Sequence, residues 1–230
     1  MTIRLNSQLD SSVVSKTFAE NGRVRIKNVL NNDDAGYLFK ALSQHTKYEM
    51  AFVRGGKYET FDEYAWRQLD VQTKRQITDE ILKNASEGIG FVYGRHALNN
   101  TVNKQLGAFN RWINSEATLN WVKGLSGIDN ISAAKVQATR FMPGQFLTRH
   151  QDIVNNEDRK IAFVLNLSPE WHPDWGGLLQ FFELDGTTTE SWAPEFNTLN
   201  LFDVEHIHSV TYVTPFTKQP RYSLSGWFVS

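Results

Sequence analysis

The second half of the chain is a succession of short apolar segments interrupted by turn-forming residues. The interruptions carry proline and glycine, as at Pro143-Gly144, Gly176-Gly177 and Asp185-Gly186. Short strands at this spacing are typical of an antiparallel sandwich or barrel. We therefore predict strands over six segments: 135–141, 161–167, 178–183, 198–203, 210–213 and 221–229.

The first half has the periodicity of helices. Val24 and Ile26 alternate with polar residues as in a strand, and Asp33 or Asp34 is expected to cap a helix. Helices followed by strands predict an α+β fold rather than a parallel α/β sheet. We expect one domain over residues 1–230, with a mainly helical part (1–130) and a strand-rich part (131–230). The helices are predicted over 11–21, from 33 or 34 to 45 and over 70–85, and one or two further helices are predicted over 103–127.

Composition restricts the possible partners and metal ligands. The 230 residues contain no cysteine, which excludes disulfides and thiolate metal sites. The formal charge of −1 gives no basic surplus, so neither nucleic acid nor an anionic membrane is an expected partner. Residues 1–10 lack the pattern of a signal peptide, and we expect a soluble, cytoplasmic protein. The oligomeric state is not predicted.

The combination of greatest chemical interest is His150-Gln151-Asp152 together with His208. Residues i and i+2 of a strand point to the same face, roughly 6–7 Å apart, so His150 and Asp152 can reach one metal ion. His208 would then supply a third ligand from another strand. Two imidazoles and one carboxylate leave positions open for O₂ and a co-substrate, as Fe(II) oxygenases require. By itself the tripeptide is a weak signal, and a solvated loop is the alternative.

Arg221-Tyr222-Ser223 lies on an apolar segment, where the guanidinium and the hydroxyl share one face. A buried arginine needs an anionic partner, and its planar fork matches a carboxylate. A dicarboxylate could chelate the metal at one end and bind Arg221 and Ser223 at the other. The alternatives are an arginine paired with a protein carboxylate or one on the sheet surface.

Residues 136–228 resemble the double-stranded β-helix core of 2-oxoglutarate-dependent dioxygenases of the prolyl 4-hydroxylase type. The order and spacing of six pieces carry the resemblance: the residues 140–146, the triplet 150–152, the apolar run 161–167, the segment 175–179 with its glycine pair, the triplet 208–210 and the triplet 221–223.

The resemblance implies a jelly-roll catalytic core over residues 131–230 with the helical part packed against it. It implies iron ligation by His150, Asp152 and His208, and 2-oxoglutarate bound through Arg221 and Ser223. The implied reaction hydroxylates a C–H bond with O₂, releasing succinate and CO₂, and ascorbate is a possible cofactor. Residues 171–177 resemble the branch that hydroxylates prolines of ribosomal or other intracellular proteins, which favours a prolyl residue of a protein or peptide as the substrate.

The sequence leaves three alternative functions open. A hydroxylase of a free amino acid or other small molecule would share every metal and co-substrate residue. A nucleic-acid demethylase is disfavoured because that family has a further Arg after the co-substrate Arg, whereas no Arg or Lys follows Arg221 in this sequence. The third is a non-catalytic jelly-roll binding protein.

Other residues compete for roles in such a site. His206 would share a strand face with His208, although the spacing to Arg221 favours His208 as the ligand. His45, His96 and His172 are interpreted as structural or loop residues. A substrate platform is predicted from Trp171, Trp175 and Trp192, and residues 51–65 are a candidate lid by composition.

Overall fold

A computed structural model describes residues 2–99 and 101–230. The helices are α1 (Ser11–Asn21), α2 (Asn32–Gln44), α3 (Glu63–Gln68), α4 (Val71–Ser86), α5 (Lys104–Ile113) and α6 (Glu116–Ser126), with a 3-10 turn at Pro173–Trp175. The strands are β1 (Arg23–Lys27), β2 (Glu49–Arg54), β3 (Lys57–Asp62), β4 (Phe91–Ala97), β5 (Ala133–Phe141), β6 (Phe146–His150), β7 (Arg159–Asn166), β8 (Leu179–Phe182), β9 (Thr188–Trp192), β10 (Thr198–Asp203), β11 (Ile207–Val210) and β12 (Arg221–Val229).

The strands form one curled antiparallel sheet in the order β1-β10-β7-β12-β5-β4-β6-β11-β8-β9, with β2 and β3 attached through β4. Strands distant in sequence are therefore neighbours: β12 lies between β5 and β7, and β6 pairs with β11. The curl encloses a cavity lined by residues of β4 to β8 and β10 to β12. The α+β prediction is confirmed.

Local sequence explains where the helices begin and end. The Asp10 side chain accepts hydrogen bonds from the backbone N–H groups of Ser12 and Val13, and α1 ends at Gly22 with a left-handed φ of 63°. Asp70 caps α4 in the same way. The expected cap of α2 was wrong, because Asn31 accepts from the N–H of Asp33 and thereby starts the helix earlier.

The largest hydrophobic core lies between the helices and one face of the sheet. Leu38 and Leu42 of α2 and Phe109 of α5 are fully or almost fully buried with Leu165 of β7 and Leu224 of β12. These helical residues recur at helical spacing, so each helix presents one apolar stripe to the sheet. Helix α4 covers the β2–β3 side through a second, smaller cluster. Among the described residues, no helix is both long and apolar enough to cross a membrane.

The first 130 residues are more mixed than the sequence predicted. Four of their strands join the same sheet as the second half, and β4 lies between β5 and β6. The candidate lid over residues 51–65 is an antiparallel hairpin, in which β2 and β3 pair from Glu49–Asp62 to Arg54–Lys57, followed by the start of α3. The strand predicted over 210–213 was shifted, since β11 spans Ile207–Val210.

Candidate metal centre

Three ligand-type side chains meet inside the sheet. His150 ends β6 and faces His208 of β11 in the antiparallel register, and Asp152 follows two residues later. One nitrogen of each imidazole and one carboxylate oxygen all lie within 4.8 Å of one another. Asp152 and His208 are buried, and His150 is partly exposed. The structure thus brings together the three residues predicted as metal ligands.

Asp152 reaches this position by a route that differs from the prediction. Strand β6 ends at His150, so the two residues do not share a regular strand face. The Asp152 backbone N–H donates to the carbonyl oxygen of Val204 at 3.1 Å, which turns the chain out of the β6–β11 ladder. This turn brings the carboxylate back towards the imidazoles.

Backbone carbonyls fix the tautomer of both histidines. The His150 Nδ1 lies 2.9 Å from the Thr148 carbonyl oxygen, and the His208 Nδ1 lies 2.9 Å from that of His206. A carbonyl only accepts hydrogen bonds, so each Nδ1 carries the proton and each Nε2 keeps a free lone pair. Such contacts orient imidazoles for metal binding.

The two free nitrogens and the carboxylate form a cluster of acceptors without a donor between them. The Nε2 atoms of His150 and His208 lie 3.6 and 3.4 Å from the Asp152 carboxylate oxygens. A cation at their centre would satisfy all three groups, and two imidazoles with one carboxylate suit Fe(II). The residues present therefore fit an iron ion.

The electrostatics of the cluster keep His208 and Asp152 in their metal-binding protonation states. Burial, followed by the neighbouring His150, lowers the pKa of His208 to about 4. Burial acts to raise the pKa of Asp152, but His150 and His208, when they are protonated, lower it below its usual value through a hydrogen bond from His150 and through their positive charges. At neutral pH the cluster contains an unprotonated His208 and an ionised carboxylate, the forms that ligate metals.

A buried arginine faces the same cavity. Arg221 on β12 is 1% exposed, and its guanidinium donates to Asn166 Oδ1 at 3.2 Å and lies 5.2 Å from the Phe141 ring centroid. Among residues 2–99 and 101–230, no carboxylate lies within 4 Å of it, and its Nε has no hydrogen-bond partner. Burial lowers the pKa of Arg221 to about 10, so the group remains charged at pH 7. A buried cation in this state requires an anion.

The sequence analysis missed two polar residues near Arg221 and Ser223, namely Thr139 and Asn166. Thr139 of β5 and Ser223 of β12 are register partners, with 2.7 Å between their buried hydroxyl oxygens. Asn166 binds the guanidinium from β7. A signal existed for Asn166, which is a polar residue inside an apolar run, whereas Thr139 has no distinguishing feature in the sequence.

All five predicted site residues, His150, Asp152, His208, Arg221 and Ser223, line one cavity of about 470 Å³. Aromatic and aliphatic side chains form much of the remaining wall, among them Phe91, Tyr93, Phe141, Leu147 and Trp227. The size and the apolar lining suit a small organic acid together with part of a second substrate.

The remaining candidate residues lie elsewhere. His206 precedes β11 and packs against Gly22, with its Nδ1 3.4 Å from the Arg23 guanidinium. Trp171 and Trp175 pack edge to face and contribute to a hydrophobic cluster, and Trp192 packs against Phe181. The other three histidines have local structural roles: His45 ends α2, His96 contacts Lys47 and Thr101, and His172 caps the 3-10 turn.

Comparison with known proteins agrees with this site. Residues 136–229 match the family model of the 2OG-Fe(II) oxygenase superfamily. The matched part runs from β5 to β12 and is similar to that superfamily. The match confirms the family predicted from the sequence, and proteins of this superfamily use Fe(II) and 2-oxoglutarate. The oxygenase segment contains all five of the predicted site residues, whose individual roles stay predictions.

Among curated proteins, the chain is 32% identical over 115 residues to prolyl 3-hydroxylase OGFOD1 of Mus musculus, covering 47% of this chain and 21% of that protein. The Xenopus laevis protein of the same name is 30% identical over 115 residues, covering 47% of this chain and 22% of its own length. The chain therefore spans about a fifth of the length of these relatives.

Solved structures share the whole fold. A Pseudomonas putida prolyl-4-hydroxylase superposes with a TM-score of 0.62 at 17% identity, over 96% of this chain and 98% of that one. A Trichoplax adhaerens prolyl hydroxylase, in complex with a hypoxia inducible factor peptide fragment, gives a TM-score of 0.63 at 17% identity, over 95% and 88% of the two chains. The predicted jelly-roll architecture of the oxygenase is confirmed.

Proposed function

We propose that this chain is an Fe(II)- and 2-oxoglutarate-dependent dioxygenase that hydroxylates a prolyl residue of a protein or peptide, releasing succinate and CO₂. One observation carries the proposal. A single cavity combines an acceptor-only cluster of His150, Asp152 and His208 with the buried, uncompensated charge of Arg221. A metal-chelating dicarboxylate would satisfy both features at once.

Each group of side chains has a defined task in this proposal. His150, Asp152 and His208 would hold Fe(II), which together with 2-oxoglutarate supplies the O₂ chemistry when bound. The Arg221 guanidinium would pair with the far carboxylate of 2-oxoglutarate, and the Ser223 hydroxyl would donate a hydrogen bond to it while accepting one from the Thr139 hydroxyl. The protein binds and orients the reactants, and its apolar wall excludes water.

A prolyl substrate is supported by the names of the similar proteins. The curated relatives are prolyl 3-hydroxylases, and two of the structures with the same fold are prolyl hydroxylases, one of them in complex with a peptide fragment. We further propose ascorbate as a supporting reductant and the cytoplasm as the location. Repeated turnover assays with and without ascorbate test the proposed role of this reductant.

The first test of the proposal is an anaerobic titration of metal-free protein with Fe(II) and 2-oxoglutarate. The chelated keto acid should give a weak visible charge-transfer band, which should disappear in His150→Ala, Asp152→Ala and His208→Ala. His172→Ala is the matched control, because this exposed histidine lies outside the cavity. Correctly folded wild-type protein without the band would overturn the proposal.

The substrate class requires a second measurement under air. Proline-containing peptides should gain one oxygen atom on a prolyl residue, detected by fragment mass spectrometry, with matching succinate release. Oxygen incorporated only into free amino acids or other small molecules would replace the prolyl substrate by the small-molecule alternative while leaving the enzyme class intact.

A further inference from the structure

Arg149 lies where the cavity opens to solvent. It is exposed and also lines the cavity, together with the exposed residues Gly88 and Ile89. It directly precedes the metal-ligand candidate His150, and the Cα atoms of consecutive residues lie about 3.8 Å apart. A substrate that brings its target carbon to the metal therefore passes close to the Arg149 side chain.

An irregularity in strand pairing accounts for this position. Two pairs of the β6–β11 ladder, Leu147–Val210 and His150–His208, enclose two residues on β6 but only one on β11. Such an extra residue is a β-bulge, and bulges re-aim side chains next to active sites. In a regular strand, a residue adjacent to His150 would point to the opposite face. The bulge breaks this alternation, which explains why Arg149 and His150 both line the cavity.

The guanidinium of Arg149 is oriented by its neighbours but not neutralised by them. Its Cζ lies 5.6 Å from the Phe182 ring centroid. A Cβ on Gly186, in the turn between β8 and β9, would lie 2.6 Å from Arg149 Nη1, so this glycine leaves the space that the guanidinium fills. Asp185 of the same turn accepts from a backbone N–H of that turn. Among residues 2–99 and 101–230, no carboxylate lies within 4 Å of the Arg149 guanidinium.

The other charges of the cavity already have partners in the proposed reaction. Apart from the histidines, three charged side chains line the cavity within the described part of the chain: Arg149, Asp152 and Arg221. Asp152 would hold the metal ion, and Arg221 would bind the far carboxylate of 2-oxoglutarate. Arg149 is the charge that remains for the substrate. Its guanidinium presents a planar fork of donors, which matches a carboxylate.

We propose that Arg149 is a specificity residue that binds a carboxylate of the substrate close to the prolyl residue to be hydroxylated. This inference rests on the proposed function, because it concerns the substrate of the same site. An acidic side chain and a chain terminus both supply such a group. An extended chain covers roughly 3.3–3.6 Å per residue, and Arg149 adjoins a metal ligand, so we expect the carboxylate within about two residues of the target proline.

The test compares synthetic peptides that carry one central proline in otherwise identical sequences. Each of the two positions on either side of the proline is Glu, Gln or Lys in turn. A second pair of peptides ends at the residue after the proline, with either a free carboxylate or an amide. Succinate release and mass spectrometry give kcat/KM for the hydroxylation of each peptide by the full chain with Fe(II) and 2-oxoglutarate.

Wild-type protein should prefer a Glu peptide to its Gln counterpart by about 5-fold at one of these positions, the upper range for an exposed ion pair. A preference confined to the second pair would identify the chain terminus as the bound group. Added salt should reduce the preference, because exposed charges are screened. Arg149→Gln should abolish it, and Arg149→Glu should reverse it in favour of the Lys peptide. A merely structural role of Arg149 would instead change all peptides by the same factor.

Arg75→Glu is the matched control for Arg149→Glu. It makes the same change in net charge at a side chain of α4 that is 82% exposed and lies outside the cavity lining. It should retain the wild-type ratio between the Glu and Gln peptides. Arg149→Gln replaces Arg149→Glu if that variant fails to fold, and the salt dependence of the wild-type preference needs no variant.

The outcomes separate this inference from the proposed function. Equal hydroxylation of all peptides by wild-type protein, or a wild-type ratio in Arg149→Glu, would overturn the role of Arg149 and leave the prolyl hydroxylase proposal in place. Weaker 2-oxoglutarate binding in Arg149→Gln with an unchanged peptide preference would also overturn it. Wild-type protein that hydroxylates none of the peptides would overturn the prolyl substrate as well. A preference reversed in Arg149→Glu but retained in Arg75→Glu supports the inference.

Discussion

His150 and His208 are cross-strand partners on β6 and β11, and their ring centroids lie 4.2 Å apart. The register of one antiparallel pair therefore places two ligand side chains side by side, although they lie far apart in sequence. A slip of one residue would turn one ring to the opposite face of the sheet. The pairing of β6 with β11 is thus a condition for the metal centre.

The choice between His208 and His206 can be tested directly. His208→Ala should abolish Fe(II) binding, because the cluster loses a buried nitrogen whose lone pair faces Asp152. His206→Ala should retain binding, since its ring packs against Gly22 and Arg23 outside the cluster. Metal titration of both purified variants is the measurement. Loss of binding in His206→Ala alone would reverse the assignment.

Arg221→Met should separate co-substrate affinity from stability. Truncating one partner of a buried charge pair costs about 2–5 kcal/mol, so the affinity for 2-oxoglutarate should fall by at least about 30-fold. The metal-free protein should be as stable as wild type or more so, because a methionine in place of an uncompensated buried cation removes a desolvation cost.

The control for Arg221→Met is Arg140→Met, whose guanidinium pairs with Glu63 and stacks over Tyr48 rather than facing the cavity. Charge-transfer titration gives the 2-oxoglutarate affinity, and urea unfolding gives the stability. Equal 2-oxoglutarate affinities in the two variants would contradict a role for Arg221 in co-substrate binding.

Gly177→Ala should weaken 2-oxoglutarate binding through crowding of Arg221. Gly177 has a φ of +64°, and a Cβ there would lie 3.1 Å from Arg221 Cδ and 3.3 Å from Trp171. Gly127→Ala is matched in backbone strain, with a φ of +72°, but a Cβ there meets nothing within 4 Å. Both should lose about 1 kcal/mol of stability from the left-handed backbone. We expect a reduced affinity for 2-oxoglutarate in Gly177→Ala alone. An unchanged affinity in that variant would show that the Arg221 side chain shifts to accommodate the added methyl group.

Metal binding should stabilise the folded chain. At a free Fe(II) concentration 100 times the dissociation constant, the gain is about 2.7 kcal/mol, which raises Tm by about 5–10 °C for a domain of this size. Anaerobic thermal unfolding with and without a chelator measures the shift. His208→Ala should show no shift, and an equal shift in that variant would place the bound ion elsewhere.

The sequence by itself determined much of the local structure. Helix α1 and strands β10 and β12 have the predicted bounds, because capping residues, apolar alternation and turn residues act over short distances. The predicted metal ligands and Arg221 could be named from the family's order of motifs. The i, i+2 spacing also placed Arg221 and Ser223 correctly on one face of β12.

Only the tertiary structure decided how these residues meet. The contribution of Thr139 depends on the β5–β12 register, and that of Asn166 on β7 lying next to β12. The return of Asp152 to the cluster depends on a hydrogen bond to Val204 and on a contact with Arg159 of β7. A local pattern fixes which face of a strand a residue occupies. Which strands become neighbours is set by burial and pairing over the whole chain, and that information is not contained in any short segment.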